Sequence, residues 1–176
     1  DVIPEVVTSI PERRSGSEIE WSLDKRCPCG DFDIVYIKDE KVPRCSGRYD
    51  CKISKKEMLI YFASKSGLDI EGLGRETVET LIANKLVENF EDFYSLTYEE
   101  LISLPQWKEK KTQNLLEAIE KSKNSEQEKL LPALGIRYVG KQTSKLLVNT
   151  FGSIRNIFDA SSDEINNIHG LSLIHI

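Results

Sequence analysis

Short amphipathic stretches separated by polar turns fill most of the chain, and one of them supplies a plan that the others repeat. Residues 69–74 (Asp-Ile-Glu-Gly-Leu-Gly) run into 75–82 (Arg-Glu-Thr-Val-Glu-Thr-Leu-Ile), which predicts a helix, a tight hairpin and a second helix. Two glycines flank one apolar residue, so the backbone is free to take positive φ or to approach another molecule while Leu73 plugs the hairpin into a core. With the first hairpin glycine as marker, the frame returns at Gly72, Gln106, Tyr138 and Gly170, separated by 34, 32 and 32 residues. An apolar residue follows each marker: Leu73, Trp107, Val139 and Leu171. The second-glycine position holds Gly74, Lys108, Gly140 and Ser172. Four tandem units are expected, the first with both glycines, the second with neither and the other two with one each.

Start signals place the helices around these turns. Ser54-x-x-Glu57 reads as a capping box opening a helix that turns Met58, Leu59, Phe62 and Ala63 inward and stops at Gly67. Thr97-x-x-Glu100 and Ser161-x-x-Glu164 are two more such boxes, each one turn before the hairpin of its repeat, at Pro105 and His169. Lys108 to Lys123 is expected to be the longest helix, and Trp107, Leu115, Leu116 and Ile119 form an apolar stripe that reads as core rather than as a ligand site. The first 22 residues differ: Val2-Ile3 and Val6-Val7 are β-prone and broken by Pro4 and Pro11, which predicts an edge strand and an extended linker. That strand has no partner nearby, so it is expected to end a sheet lying upstream.

Composition narrows the class. A chain of 176 residues with 39% apolar content can bury the core of one or two small domains. No apolar run approaches a membrane-spanning length and no secretory signal is visible, so a soluble intracellular protein is the expectation. The first residue is Asp1 rather than Met, which points to a piece of a longer chain.

A net charge of −5 excludes a protein that is basic all over, but the charges are unevenly placed. Residues 67–104 carry nine acidic and two basic side chains, whereas 129–158 carry five basic ones (Lys129, Arg137, Lys141, Lys145, Arg155) and no acid. The basic block covers the third hairpin, and it fits either a nucleic-acid face or a solvated helix face. Hairpin amides and the N-terminus of the following helix make a site for an anionic oxygen, a phosphate in a nucleic-acid protein; plain packing is the competing reading.

Cys27, Cys29, Cys45 and Cys51 are the only cysteines and fall within 25 residues. Two close pairs give four thiolates able to meet on facing knuckles, as a tetrahedral structural zinc requires. One residue separates the first pair and five the second, against the usual two to four or so in zinc knuckles. Two disulfides or unliganded thiols are the alternatives. His169 and His175 lack acid or thiol neighbours in sequence and receive no catalytic role.

Several longer blocks appear in a fixed order: Asp-Val-Ile-Pro at 1–4, Cys-Pro-Cys-Gly at 27–30, Arg-Cys at 44–45, Tyr-Phe-Ala-Ser-Lys at 61–65, Asp-Ile-Glu-Gly-Leu-Gly at 69–74, Asn-Leu-Leu-x-Ala-Ile-Glu-x-Ser-Lys at 114–123 and Ala-Leu-Gly-Ile-Arg-Tyr-Val-Gly at 133–140. In these the chain resembles the bacterial NAD-dependent DNA ligases over almost its whole length. The resemblance implies a mainly α fold: a short β remnant of an OB-fold with a linker over 1–22, a four-cysteine zinc finger over 23–55, and a helix-hairpin-helix DNA-binding domain of four units, the last incomplete, over 56–176.

The implied function is to clamp nicked double-stranded DNA by its phosphate backbone while nicks are sealed in replication and repair. Implied DNA-binding residues are Gly72, Gly74, Arg75, Lys108, Lys110, Arg137, Gly140, Lys141, Lys145 and Gly170, with Cys27, Cys29, Cys45 and Cys51 holding zinc. The family's adenylation lysine, NAD and Mg²⁺ lie outside this chain, which has no Lys-x-Asp-Gly motif and is expected to be catalytically inactive alone. A cytoplasmic monomer is implied. The departures from the family are the altered cysteine spacing, Gln106 and Lys108 in place of the second hairpin's glycines, and the ending 171–176 (Leu-Ser-Leu-Ile-His-Ile), which reads as foreign or truncated where the fourth unit should enter its second helix. The residues alone also fit a helix-hairpin-helix scaffold of another repair protein, or a protein-docking domain of tandem helical repeats.

Overall fold

Three apolar clusters, each gathered from a different stretch of chain, organise the structure. It is a computed structural model that describes residues 5, 7–37, 41–168 and 171. The two strands β1 (Ile34–Val35) and β2 (Arg44–Cys45) pair antiparallel, Ile34 opposite Cys45, beside the smallest cluster. Eight helices follow among the described residues: α1 (Lys52–Ala63), α2 (Arg75–Ala83), α3 (Tyr98–Ile102), α4 (Glu109–Ser122), α5 (Gln127–Ala133), α6 (Lys141–Phe151), α7 (Ile154–Asp159) and α8 (Ser162–Asn166). None of the described helices is long and apolar enough to cross a membrane.

The largest core spans the first two units. Leu59, Phe62 and Ala63 of α1 meet Val78 and Leu81 of α2, Leu101 of α3, and Leu115 and Ile119 of α4. Phe62 lies 4.8 Å from Phe90 and 6.2 Å from Phe93, ring centre to ring centre, which fixes the short 3-10 turn Phe90–Ser95 against α1. The second core joins Leu131 of α5, Leu147 of α6 and Ile157 of α7. Helix α5 serves both: Leu130, Ala133 and Leu134, at helical spacing, pack on the first core, and Leu131 enters the second.

The same element order recurs across the two cores. A polar cap at Asn89, a short turn of helix, then the Thr97-capped α3 is matched 64 residues later by Ser153, α7 and the Ser161-capped α8. Two of the three expected capping boxes form, the Thr97 amide donating to Glu100 Oε2 at 2.9 Å and the Ser161 amide to Glu164 Oε2 at 2.8 Å.

Three expectations need correction. Ser54 and Glu57 form no capping box, because α1 begins earlier, with Cys51 at its N-cap and Ser54 already inside the first turn. The helix also stops before Gly67, at Ser64, whose amide donates back to Ile60 and Tyr61. Gly67 instead lets the chain fold over the helix end: a Cβ there would collide with the carbonyl oxygens of Tyr61 and Phe62, while Leu68 and Ile70 donate to the carbonyls of Phe62 and Ala63. Finally, no strand forms at Val7, which is exposed; residues 1–4 and 6, the rest of the expected edge strand, lie outside the described residues. The expected longest helix is α4, with Leu115 and Ile119 buried, and α6 stops at a glycine, Gly152, in the left-handed conformation at φ +79°.

Candidate metal centre and nucleic-acid interface

The four cysteines come together from three pieces of local structure. Cys27 and Cys29 flank Pro28 in a turn closed by the Gly30 amide on the Cys27 carbonyl at 2.9 Å, with Gly30 at φ +86°. Cys45 ends β2, and Cys51 caps α1. All four Sγ atoms lie within 4.8 Å of one another, with Cys27 and Cys51 at 3.9 Å. A tetrahedral zinc with Zn–S bonds of about 2.3 Å holds its sulfurs roughly 3.8 Å apart, so this donor set fits one such ion with little movement. The narrow Cys27-Pro28-Cys29 spacing therefore does not keep the thiols apart.

Their surroundings ionise them unequally. Burial opposes the Cys51 thiolate, but the Ser54 hydroxyl and the Ser54 and Ile53 amides outweigh it and bring Cys51 to about 6. The Cys29 amide favours the Cys27 thiolate, yet burial and the three neighbouring thiols push Cys27 up to about 12. Burial likewise raises Cys45. Ser54, expected to cap the helix, acts on a sulfur instead.

The hairpins repeat one backbone geometry. Gly72, Gln106 and Tyr138 all take the left-handed conformation, at φ +89°, +66° and +63°. The plugs Leu73, Trp107, Val139 and Leu171 are all buried. At the second-glycine position, Gly74, Lys108 and Gly140 are the extended N-caps of α2, α4 and α6. None of these three gives its helix a side-chain cap, whereas α3, α7 and α8 are capped by Thr97, Ser153 and Ser161. The first amides of each hairpin's second helix are thus left for an outside acceptor. A Cβ at Gly74 or Gly140 would meet nothing within 4 Å, so glycine there is not demanded by packing; it leaves the amides bare.

The cations divide by hairpin. Arg75 is held in a two-pronged bond to Glu57 of α1, both distances 2.7 Å, and lies 3.7 Å from Glu79. That pairing holds the Glu57 carboxyl below the usual carboxylate range and makes Arg75 a tie between α1 and α2. Lys108 and Lys110 are exposed beside the second hairpin, and Lys111 lies 4.1 Å over the Trp107 ring. Arg137 stacks on Tyr138 at 5.1 Å. Lys141 and Lys145 are exposed on α6, with no ion pair among the described residues, and α6 has no acid in its first turn, unlike α2 with Glu76 and α4 with Glu109. Among the three described hairpins, the third alone has a helix with no acid in its first turn, which leaves its N-terminal dipole unopposed there. Gly170 lies outside the described residues.

Sequence reading missed the residue four places after each N-cap. Val78, Thr112 and Ser144 occupy this register, and all three are fully buried. Ser144 donates to the Glu128 carbonyl at 2.6 Å, while the Thr112 hydroxyl has no partner. Buried hydroxyls at matching places in two repeats were the available signal.

Known proteins carry the same pattern. Residues 68–121 match a SAM-like helix-hairpin-helix tandem and residues 129–173 a helix-hairpin-helix motif. The chain is 43% identical over 169 residues to a protein named DNA ligase from Geobacter sulfurreducens, covering 96% of this chain and 25% of that protein. It is 40% identical to the DNA ligase of Bacillus subtilis, over 94% of this chain and 25% of that one, and 38% identical to that of Ligilactobacillus salivarius, over 99% and 26%. The chain spans about a quarter of the length of the curated relatives it matches. By sequence it is a relative of the DNA ligases, corresponding to that quarter, with tandem helix-hairpin-helix motifs in its C-terminal part.

Proposed function

We propose that this chain is the DNA-gripping part of an NAD-dependent DNA ligase, holding nicked duplex DNA by its phosphates while residues outside the chain seal the nick in replication and repair. The observation that carries this reading is the contrast in capping. Thr97, Ser153 and Ser161 cap α3, α7 and α8 with their side chains, whereas the three hairpin helices have no side-chain cap and present bare amides, two of them beside the exposed Lys108, Lys110, Lys141 and Lys145. Backbone amides and cations bind phosphate oxygen without reading bases, which suits an enzyme that must act at any sequence. NAD and Mg²⁺ serve the chemistry of the complete enzyme and are bound elsewhere, so no residue here is assigned a catalytic role. The protein works as a cytoplasmic monomer, with 1–22 as the end of an OB-fold and its linker, 23–55 as a zinc finger and 56–176 as the DNA-binding domain.

Cys27, Cys29, Cys45 and Cys51 hold one structural zinc in this reading, tying the 27–30 turn and β2 to the N-terminus of α1. Structural zinc contributes on the order of 10–16 kcal/mol in small zinc-finger peptides, so chelation should unfold residues 23–55 and spare most helices. Metal analysis showing well under one zinc per chain, with four freely titrating thiols, would overturn the zinc assignment. For DNA, affinity for a duplex measured against salt should fall on a log-log plot by a slope of roughly −0.9 per phosphate contacted. Binding that is indifferent to salt, or that strongly prefers one base sequence, removes the clamp.

A further inference from the structure

Pro132 lies inside α5, and proline has no amide hydrogen to give to the carbonyl four residues earlier. That carbonyl belongs to Glu128, and it is not left alone: the Ser144 hydroxyl donates to it from α6 at 2.6 Å. Ser144 is fully buried, and its own amide donates to the Gly140 carbonyl at 2.9 Å, which puts it one helical turn from the N-cap. The bond therefore runs from the helix before the third hairpin to the first turn of the helix after it.

We infer that Ser144 is a positioning residue for the third hairpin, holding the amides around Gly140 at the angle from which they meet a phosphate. The inference rests on the reading of these hairpins as phosphate clamps. Neither comparable hairpin has such a bond, since Val78 carries no hydroxyl and that of Thr112 is unpartnered. Those two hairpins are seated by Leu73 and Trp107 in the large first core, while the third is seated by Val139 in the smaller second one. A hydrogen bond with fixed direction supplies orientation that a valine in a small core does not. The cost of Pro132 is what creates the acceptor, so donor and acceptor form one device.

Because the acceptor exists through proline, a rescue is built in. Ser144→Ala should lower duplex DNA affinity roughly tenfold and flatten the salt slope, with helices intact by circular dichroism. Pro132→Ala restores an α-helical amide to Glu128; combined with Ser144→Ala it should satisfy the carbonyl, and it should recover stability without recovering affinity, because the tie between α5 and α6 stays broken. A purely structural serine predicts otherwise: the double variant would bind DNA like the parent once its stability returned. That result, or parental affinity in folded Ser144→Ala, overturns the inference while leaving the clamp in place if Gly140→Asp still abolishes binding. Loss of both claims would be seen at once, as a parent chain that does not bind DNA.

Discussion

The second and third hairpins share a backbone and differ in nearly all their chemistry. Both tips are left-handed without glycine, at Gln106 and Tyr138, and both plugs are buried, Trp107 in one and Val139 in the other. Hairpin shape is therefore carried by the plug and by the tip conformation, at a cost of about 1–2 kcal/mol for a side chain held left-handed. Glycine at the N-cap has a separate purpose. Lys108 adopts the same extended conformation as Gly140, so bare amides are a matter of what is allowed to approach. The buried hydroxyls sharpen the difference: Ser144 finds a carbonyl freed by Pro132, and Thr112, in the same register, has no partner.

The largest expected effect breaks the comparison at the N-cap. Gly140→Asp should lose most duplex affinity, since a carboxylate would occupy the place of the phosphate. Its fold should hold or improve, because a Cβ there meets nothing and Asp is a favoured N-cap residue. Lys141→Ala should lose less and reduce the salt slope by about 0.9, one contact. Titrations of both against a labelled duplex, beside their melting curves, check this; a folded Gly140→Asp that binds like the parent makes the third hairpin a structural turn.

Next in size are substitutions at the buried hydroxyls, where the two hairpins should respond with opposite sign. Ser144→Ala leaves the half-buried Glu128 carbonyl without this donor, which costs about 1 kcal/mol. Thr112→Val removes a buried oxygen that has no partner and keeps the shape, so it should be neutral or stabilising by up to about 1 kcal/mol. Denaturant unfolding of the two variants decides it. Equal losses would mean that Thr112 has a hydrogen bond after all.

What the sequence made legible were features written within one turn or one repeat. The plugs were found by a fixed spacing, the Thr97 and Ser161 boxes by residues three apart, and the cysteine cluster by its isolation. The capping-box misreading has one distant cause and one local cause. Glu57 is taken by Arg75, 18 residues on, while Ser54 lies inside the first turn of a helix with Cys51 at its N-cap, whose sulfur it faces. The Arg75 pairing was hidden in the same way, because Glu57 lies on another helix. Pro132 and Ser144, 12 residues apart, become a pair only when α5 and α6 pack together.

The smallest expected effect separates the hairpins by acid. The second hairpin is entered through α3, whose Thr97 cap depends on the Glu100 carboxylate at 2.9 Å. The third is entered through α5, whose N-cap residue, Glu126, gives no side-chain cap. Bonds from the Thr97 amide and hydroxyl hold the Glu100 carboxyl below its ordinary value of 4.5. A carboxyl lowered on folding adds stability that is fully present above its unfolded value and is lost as pH falls through the folded one. From neutral pH down to about 4.5 both hairpins should therefore behave alike. Below that, amide exchange should speed up at Thr97 and Glu100 while amides of α5 keep their relative protection. Glu100→Gln, which retains the shape but not the charge, should remove the pH dependence at α3. Equal loss of protection in α3 and α5 over this range would show that acid acts on the whole fold and not on the cap.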